Sequence, residues 1–353
     1  MTPLARIIAT QIRLSGPISL HDYMQLCLLH PQHGYYATRD PFGTAGDFTT
    51  APEISQMFGE MIGLALAQAW LDQGRPTPFA LAEIGPGRGT LMADILRAIR
   101  IVPGMRAAAR LHLVEASAHL RAVQRRLLGD VTHLDRAEQL PEMPLFLVAN
   151  EFFDALPIRQ FQRQDGLWAE RVVALDPQGG LCLGLVPVDL PLGAAPSGLV
   201  REICPQAAPI MAQIASRIAR QGGAAIIVDY GGWDGHGDTF QALRRHAPED
   251  PLAHPGEADL TAHVDFAALA RAARGAGARV SALIGQGDWL MRLGIATRAQ
   301  ALQAAGDAGA MAALRRLTAP GEMGHLFRIL AVGASAAPLP PGFDAQESDA
   351  DHA

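Results

Sequence analysis

Residues 83 to 90 read Glu-Ile-Gly-Pro-Gly-Arg-Gly-Thr and close an apolar run that begins at Phe79. Glycines serve where a chain turns sharply from strand to helix and must lie against a ligand without Cβ atoms in the way. Two nucleotide ligands use such a turn. Dinucleotide sites want G-x-G-x-x-G; here Gly85, Gly87 and Gly89 alternate, so the third glycine falls one residue early and position 90 is Thr. No Lys followed by Ser or Thr comes after the glycines, which excludes a P-loop. E-x-G-x-G-x-G is instead the spacing of S-adenosylmethionine sites. An acid at the position of Glu83 can receive that donor's ammonium group, which a nicotinamide dinucleotide lacks. Gly85, Pro86, Gly87 and Gly89 then form the backbone cradle. Glu115 ends the next apolar run, where a carboxylate can accept both ribose hydroxyls. Taken singly, each feature is a plain turn or a solvated acid; together they point to a methyl donor.

A second set of side chains could meet the methyl acceptor. Asn150 ends the fourth apolar run, where amino-group methyltransferases often carry D/N-P-P-Y/F; this chain has Asn-Glu-Phe-Phe, keeping the Asn and the aromatics without the prolines. Glu151 and Asp154 are three residues apart, so a helical turn would put both on one face and let them hold a guanidinium. The plain alternative is that two acids favour a helix N-terminus. Phe152, Phe153, Asp229 and Tyr230 are candidates for lining the acceptor channel, although a strand-end Asp also bonds turn amides. Asp47, Thr49 and Thr50 lie in a loop before a helix and could close over the donor, or one Thr could cap that helix. His30 and His33, without a third ligand nearby, make a weak case for metal, and no metal is expected.

These residues need elements to position them. From residue 79 short apolar runs alternate with amphipathic helices: strands over 79–84, 110–114, 131–134, 145–149 and 224–228, with helices over 90–101 and 118–128 between them. That rhythm predicts an α/β fold, a Rossmann-like, mostly parallel seven-stranded sheet, with ligands at the carboxyl ends of the strands. Strands at 280–284 and 327–332 complete it. Residues 1–75 form a helical prelude, in which Ser19 and Asp22 have capping-box spacing and a long helix runs from 53 to 71. Between 158 and 222 the alternation around Asp165-Gly166 and Gly179-Gly180 predicts an inserted antiparallel subdomain followed by a helix. The methyltransferase core then comprises 76–157 and 223–333. Residues 231–262 read as a long loop and 334–353 as a disordered tail.

The 353 residues are 49% hydrophobic and 18% charged, as in a soluble globular protein. A net charge of −6 and scattered Arg pairs argue against a nucleic-acid partner. No apolar run is long enough for a membrane span. Three dispersed cysteines, Cys27, Cys182 and Cys204, suit packing in a reducing compartment, and with no leader-like start a cytoplasmic location is expected.

Gly46-Asp47-Phe48-Thr49-Thr50-Ala51-Pro52-Glu53-Ile54-Ser55-Gln56-Met57-Phe58-Gly59-Glu60 resembles the signature loop-helix of the MidA-like methyltransferases, the family of the mitochondrial complex I assembly-factor arginine methyltransferase. The glycine turn, His112-Leu113-Val114-Glu115, Ala149-Asn150-Glu151-Phe152-Phe153-Asp154-Ala155-Leu156-Pro157, Asp229-Tyr230-Gly231, Ala258-Asp259-Leu260-Thr261-Ala262-His263-Val264-Asp265-Phe266 and Met323-Gly324-His325-Leu326-Phe327 follow in the family's order. His263 departs from the pattern, which expects an acidic or small residue there. The resemblance implies S-adenosylmethionine as cofactor and symmetric dimethylation of an arginine on a protein substrate, the quinone-module subunit of complex I. The alternatives are a donor-binding assembly protein without turnover and a methyltransferase with another acceptor.

Overall fold

The structure, a computed structural model, describes residues 1–38 and 50–343. It divides into two compact units: Met1–Phe48 with Asp154–Ala207 and Asp234–Asp265, and Thr49–Phe153 with Ala208–Trp233 and Phe266–Ala353.

The second unit is built on a sheet whose continuous run has seven strands: β1 (Phe79–Ile84), β2 (Ala109–Val114), β3 (Thr132–Leu134), β4 (Leu145–Asn150), β5 (Gly223–Gly232), β6 (Arg279–Val280) and β7 (Phe327–Gly333), with Ile284–Gly285 also pairing with β7. Their order is β3-β2-β1-β4-β5-β7-β6. The first five pair in parallel, whereas β7 runs antiparallel to β5 and to β6. Every residue of β1 and β4 is buried, as parallel strands covered on both faces require. Each buried Leu, Ile or Phe in them stabilises the fold by about 1.5–3 kcal/mol relative to exposure. Register aligns the strand ends: Ile84 lies beside Val114 and Ala149, and Asn150 beside Val228. Glu83, Glu115, Asn150 and Asp229 therefore share one edge of the sheet.

The first unit holds an antiparallel sheet in which Ile18–Ser19, Leu167–Leu175, Arg159–Gln164 and Val200–Ile203 are neighbours in that order, with Leu181–Val188 on the other side of Leu167–Leu175. Helices Pro3–Ser15 and Leu20–Leu29 cover it through Leu4, Ile8, Tyr23 and Met24. Ser19 caps the second helix, accepting the Asp22 N–H at 3.0 Å and donating to its carboxylate at 2.7 Å.

Several expectations change. Residues 231–262 are not one loop: Gln241–Arg244, Ala247–Glu249 and Asp259–Thr261 form a three-stranded sheet. Its tight turn, Arg245-His246, has φ of 53° and 62° without a glycine or asparagine, so the usual hairpin signal is absent. The helix expected from 53 to 71 is two, Ala51–Ile54 and Gln56–Asp72, because Ser55 is extended and its hydroxyl accepts the Met57 N–H. The strand expected at 280–284 is two short pairings to β7, with the Ser281 hydroxyl accepting the Ala331 N–H between them. Helix Ala207–Gln221 lies almost entirely in the sheet unit, where buried Arg217 donates to the Leu140 carbonyl at 3.0 Å. Residues 334–343 are ordered, with the Trp289 indole donating to the Pro341 carbonyl; residues 344–353 lie outside the described residues. Helices Gln286–Arg292, Ile295–Ala304 and Ala310–Thr318 had no counterpart in the sequence reading.

Candidate active site

The glycine turn leaves β1 with three left-handed residues in alternation: Gly85 at φ 68°, Gly87 at 51° and Gly89 at 86°. That backbone is costly for residues bearing a Cβ. A Cβ on Gly85 would also lie 3.1 Å from the Phe152 ring. The Gly85 N–H donates to the Val114 carbonyl and the Gly89 N–H to Pro86, so the turn is tied to β2 and to itself. Gly89 then caps helix Thr90–Ile99.

Glu83 is 2% exposed, and its Oε2 has no hydrogen-bond partner among the described residues. Burial, reinforced by the nearby Glu115 carboxylate, pushes its carboxyl up to about 8, against the opposing hydrogen bond at Met92. A buried acid beside a second acid is costly unless a cation arrives. Glu115 is held from several directions: its Oε1 accepts the Ser117 N–H at 2.7 Å and its Oε2 accepts the Gln124 amide at 3.4 Å. Burial raises its pKa too, and those donors pull it back. The two acids and the glycine backbone fit a ligand with a cationic amino-acid end and a ribose.

Asn150 at the end of β4 is buried; its Nδ2 donates to Glu151 Oε1 at 3.0 Å, and its Oδ1 has no hydrogen-bond partner among the described residues. Glu151 has φ 51°, and its N–H donates to the Val228 carbonyl. Residues 151–157 are not helical, so the single helical face expected for Glu151 and Asp154 does not form, and the helix N-terminus alternative falls with it. Asp154 belongs to the first unit, where its carbonyl accepts the Ala262 N–H. In that unit Tyr36 donates to Asp259 at 2.9 Å, and its hydroxyl is raised well above its usual pKa by burial and then by the charges of Asp259 and Asp154.

Phe152 packs on the glycine turn and Phe153 is buried, their rings edge to face at 5.1 Å. Asp229 is fully buried and accepts the Phe153 and Tyr230 N–H groups at 3.0 Å each. It holds the two strand-end turns together. Tyr230 stacks edge-on with Phe327 at 5.5 Å. Thr50 is buried at the start of helix Ala51–Ile54 but makes no side-chain cap there; Asp47 and Thr49 lie outside the described residues. His30 accepts the Gln32 and His33 N–H groups and stacks on His33, a turn arrangement rather than a ligand pair.

The family model of putative S-adenosyl-L-methionine-dependent methyltransferases matches residues 61–284. The chain belongs to this methyltransferase family. The methyltransferase is 38% identical over 371 residues to the rat (Rattus norvegicus) "Protein arginine methyltransferase NDUFAF7, mitochondrial", covering 94% of this chain and 84% of the relative. The zebrafish (Danio rerio) protein of the same name is 37% identical over 92% of this chain and 85% of its own. A solved structure of a likely methyl transferase from Burkholderia thailandensis bound to S-adenosylhomocysteine superposes with a TM-score of 0.82 at 29% identity, covering 97% of this chain and 92% of that one. S-adenosylmethionine is thus the cofactor, as the glycine spacing implied, and the α/β methyltransferase fold is the one expected.

Two functional-looking residues escaped the sequence reading. Gln124, fully buried on helix Ala118–Leu128, contacts both Glu115 and the glycine turn. A polar residue four after buried Leu120 on the inward face was the available signal. Tyr36 gave no comparable signal beside its neighbour Tyr35.

Proposed function

We propose that the methyltransferase acts on an arginine of a protein substrate, with Asn150 and Glu151 addressing the guanidinium. The observation that carries this reading is the buried Asn150 Oδ1, an acceptor with no partner among the described residues, whose own amide holds the Glu151 carboxylate. An arginine arrives charged, with planar N–H donors that suit one neutral and one anionic acceptor. The donor supplies an electrophilic methyl group. As the C–N bond forms and the C–S bond breaks, the nitrogen sheds a proton, and Glu151 is the acid placed to receive it. Holding the nitrogen in line is the chain's main task. Asp154, in its own setting with Tyr36 and Asp259, is a second candidate acid for the acceptor peptide.

The donor side of the proposal assigns Glu83 to the ammonium group, Glu115 to the ribose and the backbone from Gly85 to Gly89 to close approach. Asp47, Thr49 and Thr50 remain candidates for covering it. Phe152 is proposed to border the acceptor; Asp229 and Phe153 shape that border from behind, and Tyr230 extends it. The rat and zebrafish relatives' names support arginine as the acceptor. The resemblance supports symmetric dimethylation and the quinone-module subunit of respiratory complex I as substrate. Three free cysteines support a reducing compartment, and we propose the cytoplasm. No described helix is long and apolar enough to cross a membrane.

Mass spectrometry of methylarginine peptides, in cells with and without this chain, tests the substrate. An arginine methylated only in its presence is expected; identical methylarginine maps would overturn the arginine reading. Glu151→Gln and Asp154→Asn, assayed at unchanged donor affinity, test the acceptor residues, and wild-type rates would remove them.

A further inference from the structure

Gln124 sits at a junction that the donor chemistry leaves unexplained. Its Nε2 donates to the Gly87 carbonyl at 2.6 Å and to Glu115 Oε2 at 3.4 Å, and its Oε1 lies 2.8 Å from His133 Nε2. An amide oxygen only accepts, so His133 must donate, which fixes the imidazole as the Nε2–H tautomer. Burial, then the charges of Arg125 and Arg121, lowers the His133 pKa and favours that neutral ring. With its oxygen committed to His133, the Gln124 amide can turn only its NH2 toward the donor side. Both of its hydrogens are then used, one on the carbonyl of the middle glycine and one on the acid at the end of β2. The Cβ of a residue at Gly89 would meet Gln124 Cγ at 3.4 Å, so the stem of the side chain also backs the third glycine.

We infer that Gln124, anchored on the Gly87 carbonyl and oriented by His133, is a positioning residue of the donor site: it aims the Glu115 carboxylate at the ribose. The inference rests on the assignment of Glu115 to the ribose hydroxyls. Glu115 then has one oxygen braced by Ser117 and one braced by Gln124, so the direction of both is fixed. The chain Gln124–His133 touches no donor atom and acts through Glu115.

The test is a binding cycle by calorimetry, with S-adenosylhomocysteine and its 2′,3′-dideoxyribose analogue against the wild-type chain, Gln124→Met, His133→Leu and His133→Gln. The wild type is expected to bind the analogue more weakly. Gln124→Met keeps the shape and removes the donor; it is expected to lose about tenfold toward S-adenosylhomocysteine, the scale of one hydrogen bond to a charged group. Toward the analogue it should lose little, because the ribose hydroxyls that Glu115 serves are absent. His133→Leu is expected to follow the same pattern more weakly, and His133→Gln, which keeps a donor near the Nε2 position, to restore binding. At saturating donor kcat should be unchanged while the donor KM rises. Equal losses toward both ligands in Gln124→Met and His133→Leu would mark general destabilisation and overturn the inference, as would wild-type discrimination retained in both. A wild-type chain that does not discriminate would overturn the ribose assignment itself. If Gln124→Met does not fold, the two His133 variants carry the comparison alone.

Discussion

Two neighbouring strand ends of one sheet solve different problems. The turn after β1 is made of backbone: three left-handed glycines, with a buried acid just before them whose Oε2 has no hydrogen-bond partner among the described residues. The turn after β4 is made of side chains: Asn150, Glu151 in a left-handed conformation despite its Cβ, and two aromatic rings. A methyl donor is the same molecule in every turnover, so its site can be built from close-approaching main chain that only glycine allows. The acceptor site proposed at the second turn would have to read functional groups, which takes amides, carboxylates and rings. Strain at Glu151 on the order of 1–3 kcal/mol fits a residue held in place for chemistry, because its N–H is tied to Val228.

Perturbing the first turn should give the largest effect. Gly85→Val puts a β-branched residue at φ 68° and against Phe152, and S-adenosylhomocysteine affinity is expected to fall at least about hundredfold by calorimetry, with the sheet intact by circular dichroism. A loss in kcat alone, with binding unchanged, would mean that the two turns are not separable in this way.

The pH dependence of donor binding should be next. The Glu83 carboxyl, raised to about 8, is largely neutral at pH 6 and ionises as pH rises. A cationic donor favours the ionised form, so binding releases a proton and affinity should tighten from pH 6 to 8, by about tenfold overall. Glu83→Gln should flatten that dependence. Without donor the sign reverses for stability: the raised pKa stabilises the folded chain fully below about 4.5, and that contribution is lost as pH rises through about 8. Thermal unfolding at pH 6 and 8.5, with and without S-adenosylhomocysteine, reads both.

On the second turn, Asn150→Leu removes the buried Oδ1 acceptor and should lower kcat by about tenfold at unchanged donor affinity. Asp229→Asn should behave otherwise. It weakens the charged acceptor of two backbone amides, so the expected loss is about 1–3 kcal/mol of stability in urea unfolding, with no selective rise in acceptor KM. A selective KM change would return Asp229 to direct contact with the acceptor. The smallest effect should come from Thr90→Val, which loses the 2.7 Å hydrogen bond to Glu53 and about 1 kcal/mol, with donor affinity within about threefold of wild type.

Legibility in the sequence followed the range of the interactions. The alternation of buried strands and amphipathic helices, the E-x-G-x-G-x-G spacing and Glu115 at a strand end were all readable, because strand burial and glycine conformation are imposed by neighbours within a few residues. The hairpin at Asp165-Gly166 was readable for the same reason, whereas the one at Arg245-His246 was not: its left-handed residues are held by the pairing of Ala242 and Leu243 with two strands. The shared helical face of Glu151 and Asp154 failed because residue 151 answers to Val228, 77 positions away, and not to helix propensity.

The amino-acid order by itself thus determined the parallel sheet, the glycine turn and the acids at its strand ends, since each depends on local backbone chemistry and burial period. Only the tertiary structure decided that Asp229 is a clamp for two turns, that Gln124 links the glycine turn to Glu115, and that an acceptor oxygen on Asn150 is left without a hydrogen-bond partner among the described residues. Those are statements about which polar atoms find partners, and in a doubly wound sheet the partners come from strands far apart in the chain.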